Sequence, residues 1–76
     1  MGTSRELYEM VINSDLPMYE RDAALDGLGH MGSSEASKLL RQIEENGHLH
    51  GHLREKALDY LIRERDRLVG ETDSET

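Results

Sequence analysis

The sequence predicts an all-α fold, and three observations predict it. Two stretches 33 positions apart read alike: Glu20–Met31 is E-R-D-A-A-L-D-G-L-G-H-M and Leu53–Glu64 is L-R-E-K-A-L-D-Y-L-I-R-E. Arg21 matches Arg54, Ala24 matches Ala57, Leu25 matches Leu58, Asp26 matches Asp59 and Leu28 matches Leu61. Self-similarity at such a period marks stacked units, each burying its apolar face on the next. Apolar residues also recur at three- and four-residue spacing, the period of a one-sided helix. Cap and turn residues interrupt that pattern often enough for four helices. The expectation is two antiparallel helical hairpins forming a stack of two repeat-like units, at about 4–31 and 34–69, with a closed four-helix bundle as the alternative.

The first helix is predicted from about Ser4 to Asn13. Thr3 and Glu6 have capping-box spacing, and Ser4 is a second candidate cap. Leu7, Met10 and Val11 form its stripe, with Tyr8 and Ile12 beside it. Asn13-Ser14-Asp15 ends that helix and prepares the next. Pro17 suits the first turn of the second helix, where its missing N–H is no loss, and Leu16 before it is biased to extended backbone. Ala24, Leu25, Leu28 and Met31 make the inner stripe of this helix, which runs to about His30 or Met31. Gly27 and Gly29 inside it each cost roughly 1 kcal/mol relative to Ala, which makes sense where a neighbouring element packs close.

Ser33 or Ser34 caps the third helix, with Glu35 placed at its positive end. Ala36, Leu39, Leu40 and Ile43 give that helix its apolar face, and Asn46-Gly47 ends it, Gly47 being suited to a left-handed cap. The fourth helix starts between His48 and Gly51. It carries Leu53, Ala57, Leu58, Tyr60, Leu61 and Leu68 and is expected to stop before Gly70. Residues 1–70 thus form one helical domain, and 71–76, E-T-D-S-E-T, read as a disordered acidic tail.

Composition narrows the function. The 76 residues carry a formal charge of −7, with Glu71, Asp73 and Glu75 clustered at the end. Nucleic-acid binding needs a basic stripe, so it is disfavoured. The chain has no cysteine, so disulfides, thiolate metal sites and cysteine nucleophiles are excluded. Small secreted domains usually need such staples, and the first residues lack the apolar stretch of a signal peptide. A cytoplasmic protein is therefore expected. No apolar run is long enough for a membrane span.

Few residues could carry chemistry. His48, His50 and His52 form the densest cluster, and His48 and His52 at i and i+4 have the spacing of a two-ligand helical metal site. On a regular helix His50 points about 200° away from His48, so three-fold convergence needs irregular backbone. The plainer reading is three exposed histidines at a helix start. His30 stands near a helix end, where an imidazolium interacts well with the dipole. Asp22 and Asp26 read as solvated residues of an outer face beside Arg21. Phosphate-binding glycine loops, nucleophile elbows and H-E-x-x-H are all absent, so neither an enzyme nor a resident cofactor is expected. Met18, Tyr19, Tyr8 and Tyr60 are the candidates for partner contact, because Tyr and Met are enriched at interfaces. Core or boundary packing is the alternative for each.

The stretch from Asp15 to Ile43 resembles a HEAT-like repeat of the phycobilisome-lyase type. The matching positions are Asp15, Arg21, Ala24, Leu28, Gly29, Met31, Gly32, Glu35, Ala36, Leu39, Leu40 and Ile43. The second copy keeps Leu53, Arg54, Ala57, Leu58 and Leu61. Glu20 stands where the family prefers valine, Gly27 replaces the usual alanine, and Ile62 takes the place of the glycine. The resemblance implies an α-α stack acting mainly as a scaffold for protein contacts, and some members assist cofactor attachment. It carries over no catalytic residue. It also implies structural arginines, with Arg21 and Arg54 expected to reach an aspartate such as Asp15 or Asp59.

The leading expectation is thus a non-enzymatic protein–protein interaction or scaffold module, whose open face is covered by a protein partner or by a second copy in a homodimer. The alternative is a small acidic inhibitor or regulator, phage-type or immunity-like, blocking a basic site on a partner. Binding that weakens strongly with salt would favour the second, because charge steering is screened. If both repeat copies are equally buried, Leu28→Ala and Leu61→Ala should each cost about 2–5 kcal/mol.

Overall fold

Local chemistry starts and stops each helix. In a computed structural model describing the backbone of residues 3–73 and the side chains of residues 3–66, α1 spans Thr3–Ile12 and α2 spans Met18–Gly29. Next come α3 at Ser34–Glu45 and α4 at Gly51–Asp73. Pro17 precedes α2 as its cap residue, with φ −66° and ψ 155°. Its carbonyl accepts from the amides of Glu20 and Arg21. The proline thus sits one position earlier than predicted, and its fixed φ still sets the entry to the helix. Ser33 caps α3, its hydroxyl accepting from the Ala36 amide at 3.1 Å. Ser4, read as a second cap for α1, is instead buried within that helix and donates to the Glu35 carboxylate on α3.

Two other boundaries depart from the prediction. Asn46, in extended backbone, is the cap residue ending α3. Its side-chain oxygen accepts from the His48 amide at 3.0 Å. An Asn turned out of the helix and bridging its own loop completes the stop, so Gly47 needs no left-handed conformation. Positive φ occurs at Gly32 instead, at 69°, in the loop from α2 to α3. At the far end, α4 continues through Gly70 to Asp73, three residues into the segment expected as a tail. One glycine costs about 1 kcal/mol there, and with no proline the hydrogen-bond ladder is not interrupted. Ser74–Thr76 of that expected tail and the side chain of Leu68 lie outside the described residues.

The helices pair as α1 with α2 and α3 with α4. The first hairpin then lies on the second: α1 packs on α3, α2 packs on α4, and α2 also meets α3. An up-and-down bundle would bring α4 beside α1. Here these two helices are the corners with least contact, so the packing is hairpin upon hairpin. The core between the layers holds Val11, Ala24, Leu25, Leu28, Ala36, Leu39, Leu40, Ile43, Leu53 and Ala57. Leu7, Tyr8, Met18, Leu49, Tyr60 and Leu61 pack around it, half-buried. No helix among the described residues is long and apolar enough to cross a membrane.

The matched arginines do the same job in both hairpins. Arg21 donates from Nε to the Val11 carbonyl at 2.9 Å, and Arg54 donates from Nε to the Glu44 carbonyl at 3.2 Å. Each carbonyl belongs to the residue before the last in the preceding helix. The final carbonyls of a helix lack intrahelical donors, and a guanidinium reaching back across the hairpin supplies one. The aspartate partners expected for these arginines are therefore replaced by backbone oxygens.

Candidate interaction face

A polar ladder joins the hairpins on the side where α2 meets α4. Lys56 Nζ donates to Asp22 Oδ2 at 2.9 Å and to Asp26 Oδ1 at 2.8 Å. His52 Nε2 donates to Asp22 Oδ1 at 2.9 Å, and the Tyr60 hydroxyl donates to Asp26 Oδ1 at 2.6 Å. The Lys56 ammonium bound to both carboxylates holds Asp22 and Asp26 below the ordinary value of 3.8; Tyr60 adds to the effect on Asp26 and His52 to that on Asp22. Burial pulls Lys56 the other way, yet its contacts with Asp26 and Asp22 prevail and raise it above 10.5. Tyr60 is raised above 10.0 by burial first and by the Asp26 carboxylate second. Asp22 and Asp26 are thus half-buried cross-links between layers, where the sequence had placed them on a solvated face. The stacking of α4 on α2 brings Lys56 to them, and a single helix cannot display that.

Above this ladder the backbone of α2 meets an aromatic ring. A Cβ at Gly29 would lie 2.5 Å from Cγ and Cδ2 of Tyr60. Tyr60 also receives the edge of the His30 ring, with centroids 5.5 Å apart, and the Arg63 guanidinium 5.7 Å from its centroid. His30 follows the last turn of α2, and its Nδ1–H donates to the Asp26 carbonyl at 2.7 Å.

The predicted contact residues separate in space. Tyr60 is committed to the seam between the hairpins. Tyr8 packs against the core from α1, with Arg5 5.6 Å above its ring. Met18 packs against the core at the start of α2, and Tyr19 beside it is 75% exposed. Of the histidines, His50 accepts from the His52 amide at 3.1 Å, starting α4, while His52 reaches across to Asp22. His48 lies exposed in the preceding turn. Among the described residues no three His, Cys, Asp or Glu groups are grouped to hold a metal ion.

Leu58 and Leu61, read from the sequence as the apolar stripe of the fourth helix and not as contact residues, lie with Ile62 on the outside of the second hairpin. Leu58 and Ile62 are 43% and 45% exposed, with Leu61 half-buried beside them. With Arg41 and Arg65 they line a groove of about 400 Å3 between α3 and α4. Leu25 and Leu28, 33 positions before Leu58 and Leu61, are fully buried. The difference is positional: α2 is covered by the second hairpin, and this side of α4 is covered by nothing among the described residues. The one available signal was that identity itself, a core leucine recurring 33 positions later.

The chain matches no family model, no curated protein and no solved structure in comparisons with known proteins.

Proposed function

We propose that the chain is a non-enzymatic protein-interaction module of HEAT-like architecture, and that it docks its partner on the outer face of the second hairpin. One observation carries this reading: Leu58 and Leu61 repeat the positions of Leu25 and Leu28, which in the first hairpin hold the next hairpin in place. A repeat stack normally ends in a unit with a polar outer face. The outer face of the second hairpin, among the described residues, exposes Leu58 and Ile62 instead, and contiguous exposed apolar surface marks interaction sites. Arginines at the rim give the groove polar edges suited to a protein partner with acidic flanks.

The acidic-inhibitor reading has less behind it, because Asp22 and Asp26 are occupied by Lys56 within the chain. The decisive comparison uses Leu58→Asp with Ile62→Asp in the cells that make the protein. Both positions are exposed, so helicity should hold. The native chain should elute from lysate in a complex larger than itself, and the double variant should elute as the free chain. Identical elution of the two would reject this face as the docking site.

A further inference from the structure

The open stripe of α4 is self-complementary. At about 100° per residue, Glu55, Leu58, Ile62 and Arg65 fall within one narrow strip of the helix. All four are exposed. Their spacings are three, four and three residues, symmetric about position 60. An acid stands at one end, a base at the other, and two branched aliphatics lie between. Tyr60 itself points the opposite way, into the seam with α2. Two such helices laid antiparallel across a two-fold axis at that level would put Leu58 of each against Ile62 of the other. The same operation brings Glu55 of each copy opposite Arg65 of the other. A two-fold contact requires this pattern, in which i meets j and j meets i.

The other end of the stack does not fit the same stripe. Leu53, Lys56 and Tyr60 face the first hairpin, and their counterparts 33 positions earlier are Glu20, Ala23 and Gly27. Those residues are acidic or small, and Ala23 and Gly27 are exposed. A head-to-tail contact would therefore set the apolar stripe against one exposed ring, Tyr19, four residues before Ala23, and no aliphatic side chain larger than alanine among these positions of α2, so face-to-face pairing of like ends is favoured. α4 has the length for it: its 23 residues, against 12 in α3, span about 34 Å at 1.5 Å per residue.

We infer that the partner on this face is a second copy of the chain, docked through antiparallel pairing of the two α4 helices about a two-fold axis near residue 60. The inference rests on the docking-face reading and names its occupant. Glu55→Arg places only bases at the ends of the stripe, and Arg65→Glu places only acids there. Either variant alone should lose self-association on the order of tenfold or more, through like charges at both ends of a symmetric contact. Mixed one to one, they should pair with each other, since every end contact is again acid against base.

Sedimentation equilibrium on the full chain reads this out. The native chain should move with concentration from 8.7 kDa toward twice that mass. The two variants should remain at monomer mass while keeping native helicity, and their mixture should regain the dimer. A native chain that stays monomeric overturns self-pairing, as do variants that dimerise like the native chain or a mixture that stays monomeric. The docking-face reading fails separately. A native monomer that still enters a larger complex in lysate, lost in the Leu58→Asp, Ile62→Asp variant, overturns the homodimer and keeps the face. A native monomer with no such complex removes both.

Discussion

Gly29 and Gly27 are two residues apart on one helix and face different neighbours. Gly29 lies under the flat of the Tyr60 ring, which is held by Asp26, His30 and Arg63. Adding a methyl there forces the ring or the helix to move, and overpacking of this kind costs about 1–3 kcal/mol. At Gly27 an added Cβ would meet Leu7 methyls at 3.3 and 3.7 Å. A leucine methyl can shift, and alanine recovers about 1 kcal/mol of helix propensity. Urea denaturation should therefore show Gly29→Ala clearly destabilised and Gly27→Ala near neutral or better. Equal effects would mean that the Tyr60 contact is unimportant. Arg21 is a second residue-scale case: it is 9% exposed, and its removal leaves the Val11 carbonyl without its donor. Arg21→Met should cost about 1–3 kcal/mol, and the same change at the more exposed Arg54 should cost less.

Between elements, the ladder from α2 to α4 links stability to pH. Asp22 and Asp26 have folded-state pKa values below 3.8, so the unfolded chain binds protons there first as the pH falls. Their contribution is fully present above the unfolded value and is lost progressively as pH drops below about 4 through the lowered folded values. Lys56 and Tyr60 are raised, so their contribution is present below about 10 and is lost as pH climbs through the folded values. Lys56→Met should lower stability at neutral pH and flatten the acid limb of a midpoint-against-pH curve. An unchanged acid limb would show that the carboxylates draw nothing from Lys56.

Much at this scale was legible in the sequence, because a proline entry, a serine cap and a 3.6-residue stripe are local. The α3 face of Ala36, Leu39, Leu40 and Ile43 was readable in full for that reason. The ladder was not, since it depends on which helix face lands opposite Asp22. Nor was the arginine contact, because a backbone oxygen carries no mark in the sequence.

At the scale of the whole molecule, two copies of one pattern occupy unequal positions. Leu28 is fully buried, while Leu61 is half-buried, because the first copy has a neighbour stacked on it and the second has none among the described residues. The equal losses expected of an equally buried pair become unequal: Leu28→Ala should cost about 2–5 kcal/mol and Leu61→Ala distinctly less. The self-match was visible in the letters, but which copy lies uncovered was not, since Leu25 and Leu58 are the same letter and only stacking order separates them. Sequence reading accordingly placed the contact surface at Met18, Tyr19, Tyr8 and Tyr60, of which Tyr19 is the exposed one. An apolar patch that the stack leaves uncovered is Leu58 and Ile62, with half-buried Leu61 beside them, on the side of α4 away from Tyr60.

Site-specific cross-linking in living cells tests that docking face most directly. A photoreactive amino acid would replace Ile62 in one variant and Ala23 in another, both exposed and at opposite ends of the stack. Adducts formed from position 62, at twice the chain's own mass, with little from position 23, are the predicted result. Adducts from position 23 and none from position 62 would contradict it, because the working surface would then be on the first hairpin.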